Sequence, residues 1–255
     1  MGGVVQGCGT AGAYAAIKDN GSVVTWGDIL MGGNSSSVAS LLTTGVVQVA
    51  ATDSAFAVIK ENGSVVTWGD GRYGGDSSAV STFLAEVCDT TTSAFAAIKA
   101  NGSIVTWGSQ SFGGNSASVQ PMEGVVQVCG SHAACAALLA NGSVVTWGLP
   151  GVGGDSSLVA SLLTEGVIQV RGNYYALAAI KADGSVVTWG NDECGGDSSA
   201  VAPLLTEGVV QVCGSAGAFA ALKSDGSVVT WGGAHYGGDS SSVAPLLRRH
   251  CPSLC

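Results

Sequence analysis

Apolar residues occur in three short runs that recur along the chain, each cut off by glycine or by an Asx-Gly pair. One clean copy, residues 208–247, reads GVVQVCGSAGAFAALKSDGSVVTWGGAHYGGDSSSVAPLL. Residues 209–213 are rich in β-branched side chains and stop at Gly214. Residues 218–223 form a second run, and Asp225-Gly226 then leads into Ser-Val-Val-Thr-Trp-Gly at 227–232. Short runs of β-formers between turn residues predict three strands. Asn-Gly or Asp-Gly between the second and third predicts a hairpin with a type I′ turn, whose two central residues need φ > 0. All six copies comply, at Asn20, Asn62, Asn101, Asn141, Asp183 and Asp225, each followed by Gly-Ser. Asn-Gly-Ser also matches a glycosylation sequon, as does Asn34-Ser35-Ser36. The free exchange of Asn with Asp in the hairpin copies favours turn chemistry instead.

The unit repeats six times. Thr-Trp-Gly places Trp at 26, 68, 107, 147, 189 and 231, spaced 42, 39, 40, 42 and 42 residues apart, and these are all the tryptophans of the chain. Units of about 41 residues with three short strands cannot bury their faces alone. They must stack, and radial stacking predicts an all-β fold, a β-propeller of six repeats with three to four short antiparallel strands per blade. The six units fall at residues 1–44, 45–84, 85–123, 124–165, 166–207 and 208–247, one domain over 1–247 followed by a C-terminal tail at 248–255. The alternative is a partial ring of a seven-bladed propeller, which would expose two sticky blade edges and favour oligomers. One Trp per blade at a fixed phase is expected to pack between neighbours, so all six read as structural core.

After each Trp-Gly come four variable residues and then Gly-Gly-(Asp/Asn)-Ser, which predicts an Asx-turn or a capped helical turn. Apolar residues at i, i+3 and i+4 follow, as at Val80, Phe83 and Leu84 or Val201, Leu204 and Leu205. Pro121, Pro203 and Pro245 limit this to one turn at most, and an extended edge is expected beyond it.

Composition narrows the class. The chain has 255 residues, of which 40 are Gly and only 11% are charged. Gly is about twice its usual ~7% and charge less than half its usual ~25%. A hydrophobic content of 46% excludes a disordered chain, and no apolar stretch approaches the ~18 residues of a membrane span. The formal charge of −9 offers no basic stripe, so direct nucleic-acid binding and anionic membrane surfaces are not expected. Eight cysteines are too few for a disulfide scaffold. Cys8, Cys129 and Cys213 share a column with Ala50 and Arg171, which suits a small half-buried strand residue. The N-terminal MGGVVQGCGT lacks the features of a signal peptide, so an intracellular location, cytoplasmic or nuclear, is the expectation.

The unit Asp-Gly-Ser-Val-Val-Thr-Trp-Gly, preceded by Val-Gln-Val-Cys-Gly and Ala-Phe-Ala-Ala-Leu, resembles the regulator of chromosome condensation repeat. The resemblance covers nearly the whole chain and implies a β-propeller with about one blade per repeat, in a compact three-stranded-blade variant. It also departs from the family. A column that holds His in the family reads Ala13, Ala55, Ala94, Ala134, Ala176 and Ala218, and the family's Gly-Gln-Leu-Gly is replaced by Gly-Gly-Asp-Ser-Ser. No insertion corresponds to the wedge of the family's nucleotide-exchange factor, and no exchange residue can be carried over.

No catalytic constellation emerges. His132, His235 and His250 lack a nucleophile elbow, and Walker and dinucleotide fingerprints are absent. His250 with Cys251 and Cys255 is at most half a metal site, and one Asp per blade is too sparse for calcium. No cofactor or metal is expected. Two segments vary among the copies: the loop between the first two strands, and the four residues after Trp-Gly. Antiparallel geometry puts both at one end of the blade and the uniform Asx-Gly-Ser turns at the other. Varied loops on a rigid scaffold are where binding resides, and this selects Arg72, Tyr73, Phe112, Asn173, Tyr174, Tyr175, His235 and Tyr236 as partner-binding candidates. The expected function is a non-catalytic protein–protein interaction scaffold, its partner another protein. The alternatives that the resemblance implies are guanine-nucleotide exchange or other regulation of a small GTPase, and a substrate-recognition propeller related to HECT-type ubiquitin ligases.

Overall fold

The computed structural model describes residues 3–78, 84–88 and 91–247. Val80 and Phe83, and the tail with His250, Cys251 and Cys255, lie outside the described residues. Six three-stranded antiparallel sheets follow one another, each with its strands in chain order. Blade 1 comprises β1 (Val4–Gly9), β2 (Ala13–Lys18) and β3 (Val23–Gly27), and blade 2 comprises β4 (Val46–Ala51), β5 (Ala55–Lys60) and β6 (Val65–Gly69). Blade 3 holds β7 (Leu84–Cys88), β8 (Ala94–Lys99) and β9 (Ile104–Gly108), and blade 4 holds β10 (Val125–Gly130), β11 (Ala134–Leu139) and β12 (Val144–Gly148). β13 (Val167–Gly172), β14 (Ala176–Lys181) and β15 (Val186–Gly190) make blade 5, and β16 (Val209–Gly214), β17 (Ala218–Lys223) and β18 (Val228–Gly232) make blade 6. Each blade packs its first strand on the preceding blade around the axis, as β4 does on β1 and β10 on β8, and the result is a β-propeller arc.

The blades are held together by one recurring junction. Between blades 1 and 2, Ala13, Ala15 and Ile17 pack on Val46, Val49, Phe56, Val58, Val66 and Trp68. The indole of Trp68 stacks on Phe56 at 5.3 Å and donates from Nε1 to the Gly32 carbonyl at 2.9 Å. Trp107, Trp147, Trp189 and Trp231 repeat that bond to Gly74, Gly113, Gly153 and Gly195 at 2.9–3.1 Å. A buried indole without an acceptor would forfeit a hydrogen bond, so each junction satisfies its own Trp.

The sixth tryptophan departs from this. Trp26 is 52% exposed, whereas the other five are 2–5% exposed. The sequence places it in the core like its equivalents, but among the described residues no blade covers it. Blade 6 does not supply the cover, because its equivalent carbonyl belongs to Gly237, beside which a Cβ would meet nothing within 4 Å. The ring is therefore open between blades 6 and 1.

Two local expectations are also corrected. The Asx-Gly hairpins are not type I′. Gly21 has φ +72°, but among the described residues no non-glycine has positive φ. Lys18 N–H bonds Ser22 and Gly21 N–H bonds Lys18, which is a three-residue loop ending in a left-handed glycine. The Asn20 Oδ1 then accepts from both the Ser22 N–H and Oγ, which fixes Asx at this position without φ > 0.

The linkers are the second correction. Three of them are 3₁₀ segments of six residues, at Ser36–Leu41, Ser157–Leu162 and Ser199–Leu204, longer than the single turn expected, whereas Ala117–Val119 is that single turn, with Gln120 extended before Pro121. Each of the three longer segments is two i→i+3 turns end to end, such as Ser198–Val201 and Ala202–Leu205. Pro203 sits second in its turn, where no N–H is needed and its fixed φ suits the backbone. Among the described residues no extended edge follows to make a fourth strand. Instead the linker returns along β3 and its equivalents, with Thr25 Oγ1 3.0 Å from Ser35 Oγ and the same pairing in every blade. The Gly-Gly-Asx-Ser turns form as expected, Asp155 Oδ1 accepting from Ser157 N–H at 2.9 Å.

Candidate functional site

A polar residue follows the first strand of each blade: Thr10, Thr52, Thr91, Ser131, Asn173 and Ser215. Thr52 Oγ1 accepts from the Ala55 N–H at 3.1 Å and donates to the Tyr73 carbonyl at 2.8 Å. Ser215 does the same for Ala218 and Tyr236, and Asn173 for Ala176 and Cys194. One side chain thereby ties the loop between the first two strands to the loop after Trp-Gly. Both varied loops lie at one end of the propeller, as the sequence predicted.

The next residue in each loop faces the axis. These are Ala11, Asp53, Thr92, His132, Tyr174 and Ala216. Their backbones form a directional chain: Ala11 N–H bonds Asp53 O at 3.0 Å, Asp53 bonds Thr92, Thr92 bonds His132, His132 bonds Tyr174, and Tyr174 bonds Ala216. They rim a cavity of about 540 Å³ at the funnel mouth.

Six side chains give this mouth its chemistry. His132 stacks on Tyr174 with centroids 4.5 Å apart, meets the edge of Phe112 at 5.2 Å, and has Nδ1 3.2 Å from Thr92 Oγ1. Tyr175 closes the cluster edge-on to Tyr174 at 5.0 Å. Partial burial holds the Asp53 carboxyl above its ordinary range, with the charge of His132 opposing that shift. Burial also raises the Tyr174 phenol, helped by the charge of Asp53. Asp53 has no ion pair among the described residues. The mouth thus offers a carboxylate beside an aromatic face, an arrangement that receives a cation or another ring. Among the described residues, no group of three His, Cys, Asp or Glu side chains could hold a metal ion.

Of the eight candidates, Phe112, Tyr174 and Tyr175 meet in this cluster. Asn173 is only 6% exposed and its amide is spent on the loop. Arg72 is exposed and paired with Asp70 at 2.7 Å, and Tyr73 packs partly buried on the blade 2–blade 3 junction. His235 and Tyr236 sit on blade 6 beside the open seam, with the Tyr236 ring over Gly217. Neither pair shares a ring contact with the cluster. Asp53, Thr92 and His132 were not selected. Their signal is a single column of the repeat alignment, which reads Ala, Asp, Thr, His, Tyr, Ala.

The comparisons agree with this architecture. Residues 46–74, the strands of blade 2 and the turn after them, match the regulator of chromosome condensation (RCC1) repeat. The match spans one of the six units, in line with the resemblance read from the sequence. Human WBSCR16 is similar in structure with a TM-score of 0.51 and 18% identity, over 73% of this chain and 61% of that one. Prp20p of Saccharomyces cerevisiae gives 0.56 and 17%, over 90% and 72%. The ectodomain of the Physcomitrella patens receptor kinase CR4 gives 0.56 and 14%, over 91% and 62%. The chain thus spans about three fifths of WBSCR16 and of the CR4 ectodomain. At these identities the likeness is one of fold. No curated protein matches the chain in sequence.

Proposed function

We propose that this protein is a non-catalytic scaffold that binds another protein at the funnel mouth. The observation that carries the reading is the axial column in which Asp53, Thr92, His132 and Tyr174 differ from blade to blade while backbone hydrogen bonds join each loop to the next. Uniform strands with one varied position per blade are what a binding surface on a fixed frame requires. Protein binding is also described for structural neighbours: Prp20p for Gsp1p and histones, and yeast RCC1 (Prp20) in complex with Kap60. The chemistry of the mouth favours a partner loop that presents a basic side chain, set against Asp53 and the Tyr174 ring, and the net charge of −9 would speed its approach.

Crosslinking mass spectrometry from native lysate identifies the partner, and a titration with that purified partner tests the site. Asp53→Ala combined with Tyr174→Ala should weaken binding at least about tenfold and leave the melting temperature unchanged. Unaltered affinity would reject the mouth. Arg72→Ala with Tyr73→Ala and Tyr236→Ala then shows whether the outer loops contribute. Accelerated release of a fluorescent nucleotide from a small GTPase would replace the scaffold reading with that of an exchange factor.

A further inference from the structure

The seam between blades 6 and 1 is a broken copy of a junction that the chain makes five times. On blade 1, Val4, Tyr14 and Trp26 are 64%, 56% and 52% exposed, while their equivalents Val46, Phe56 and Trp68 are at most 4% exposed. Tyr14 stacks on Trp26 at 5.5 Å, in the arrangement of Phe56 on Trp68, so the half-junction is already shaped. The opposite half stands on blade 6. Ala220 is partly exposed and Leu222 is 39% exposed, although Ala15 and Ile17 in the same columns are at most 2% exposed. Among the described residues the Gly237 carbonyl accepts no hydrogen bond, and the Ala216 N–H continues the axial chain to no acceptor.

We infer that this seam is a self-association surface, where blade 6 of one copy docks on blade 1 of a second copy head to tail. The chain itself carries both halves, and each half matches a partner it already accepts five times within the molecule. At the positions that meet, Val4, Tyr14 and Trp26 against Ala218, Ala220 and Leu222, there is no charge, so two copies of a −9 chain can approach there without opposed carboxylates. In the assembled junction, Trp26 Nε1 donates to Gly237 O of the second copy, the bond that Trp68 makes to Gly32. A head-to-tail contact of this kind leaves one half free at each end of a dimer, so the assembly can grow with concentration. The surface is separate from the funnel mouth and does not depend on the function proposed for it.

Sedimentation velocity over a roughly hundredfold range of protein concentration should show mass rising from monomer to dimer and beyond. Trp26→Glu alone and Leu222→Glu alone should each remain monomeric, with unchanged melting temperatures. Their equimolar mixture should form a dimer and stop there, because one variant retains an intact blade 6 half and the other an intact blade 1 half. Persistent association of either variant alone would overturn the proposal, and so would a wild-type monomer at every concentration. In that monomer, acrylamide quenching distinguishes a ring that closes on itself, with Trp26 protected, from an open one that binds nothing.

Discussion

Trp26 and Trp147 lie in strands of identical sequence, VVTWG, and occupy the same column of the repeat. One is 52% exposed with only Tyr14 stacked against it, and the other is 2% exposed and bonded to a carbonyl of the preceding blade. Nothing in the strand itself separates them. What differs is whether a blade stands in front, so the environment of a repeat residue is set by its neighbour, as nearest-neighbour stacking demands.

Substitution should separate the two tryptophans by their cost in stability. Trp147→Ala should cost roughly 3–5 kcal/mol, whereas Trp26→Ala should stay within about 0.5 kcal/mol, both read from urea denaturation of dilute protein. Equal losses would show that the seam is closed in solution.

Glycine gives a second contrast. Gly74 and Gly237 share a φ of +96°, but a Cβ on Gly74 would lie 2.6 Å from Phe95 Cδ2 and one on Gly237 meets nothing. Gly237→Ala should therefore cost only the left-handed backbone, about 1–2 kcal/mol. Gly74→Ala should cost at least about 1 kcal/mol more, from overpacking. The difference between the two denaturation midpoints measures the closed junction.

A third test concerns a feature that the seam should leave untouched. The hydroxyls and then the backbone N–H groups of Ser185 and Ser227 hold the Asp183 and Asp225 carboxyls below their ordinary range. The unfolded chain binds these protons more tightly, so the stabilisation is complete above the ordinary carboxylate pKa of about 4 and is lost as pH falls through the lower folded values. Asp183→Asn with Asp225→Asn, which copies the turns at Asn20 and Asn141, should flatten the acid side of the stability curve. Denaturation midpoints measured between about pH 5 and about pH 2 report this. Both single variants should respond alike, although only blade 6 borders the seam. An effect as small as that of Trp26→Ala is expected at the mouth, where Tyr174→Ala, at a side chain already 40% exposed, should change stability by no more than about 0.5 kcal/mol.

Much of the frame was legible because the repeat averages out local noise. Six Asx-Gly-Ser turns and six Thr-Trp-Gly strands locate the hairpins and count the blades without reference to any neighbour. The turn type was not legible, since Asn-Gly suits both a two-residue loop and a three-residue loop that ends in a left-handed glycine. Pro203 misled for a related reason. It forbids a continuous α-helix but fits the second of two abutting turns. At the site, aromatic residues in varied loops drew attention to Phe112, Tyr174 and Tyr175, which the structure brings together around His132. Asp53 and Thr92 escaped because each is an ordinary polar loop residue until the axis is known. Only then do positions about 40 residues apart become adjacent.

The backbone chain from Ala11 to Ala216 has a consequence for how such a protein can change over time. Every link that joins one loop to the next includes an amide donating to a carbonyl, and only between Thr92 and His132 does a side chain, the Thr92 hydroxyl, add to it among the described residues. Ala, Asp, Thr, His and Tyr all occupy the position, so the frame tolerates small, charged and aromatic groups alike. Each blade can then be rewritten singly, at a modest cost in fold, and the mouth acts as a short word with one letter per repeat. A duplicated or altered repeat would alter the word without altering the means by which it is held together.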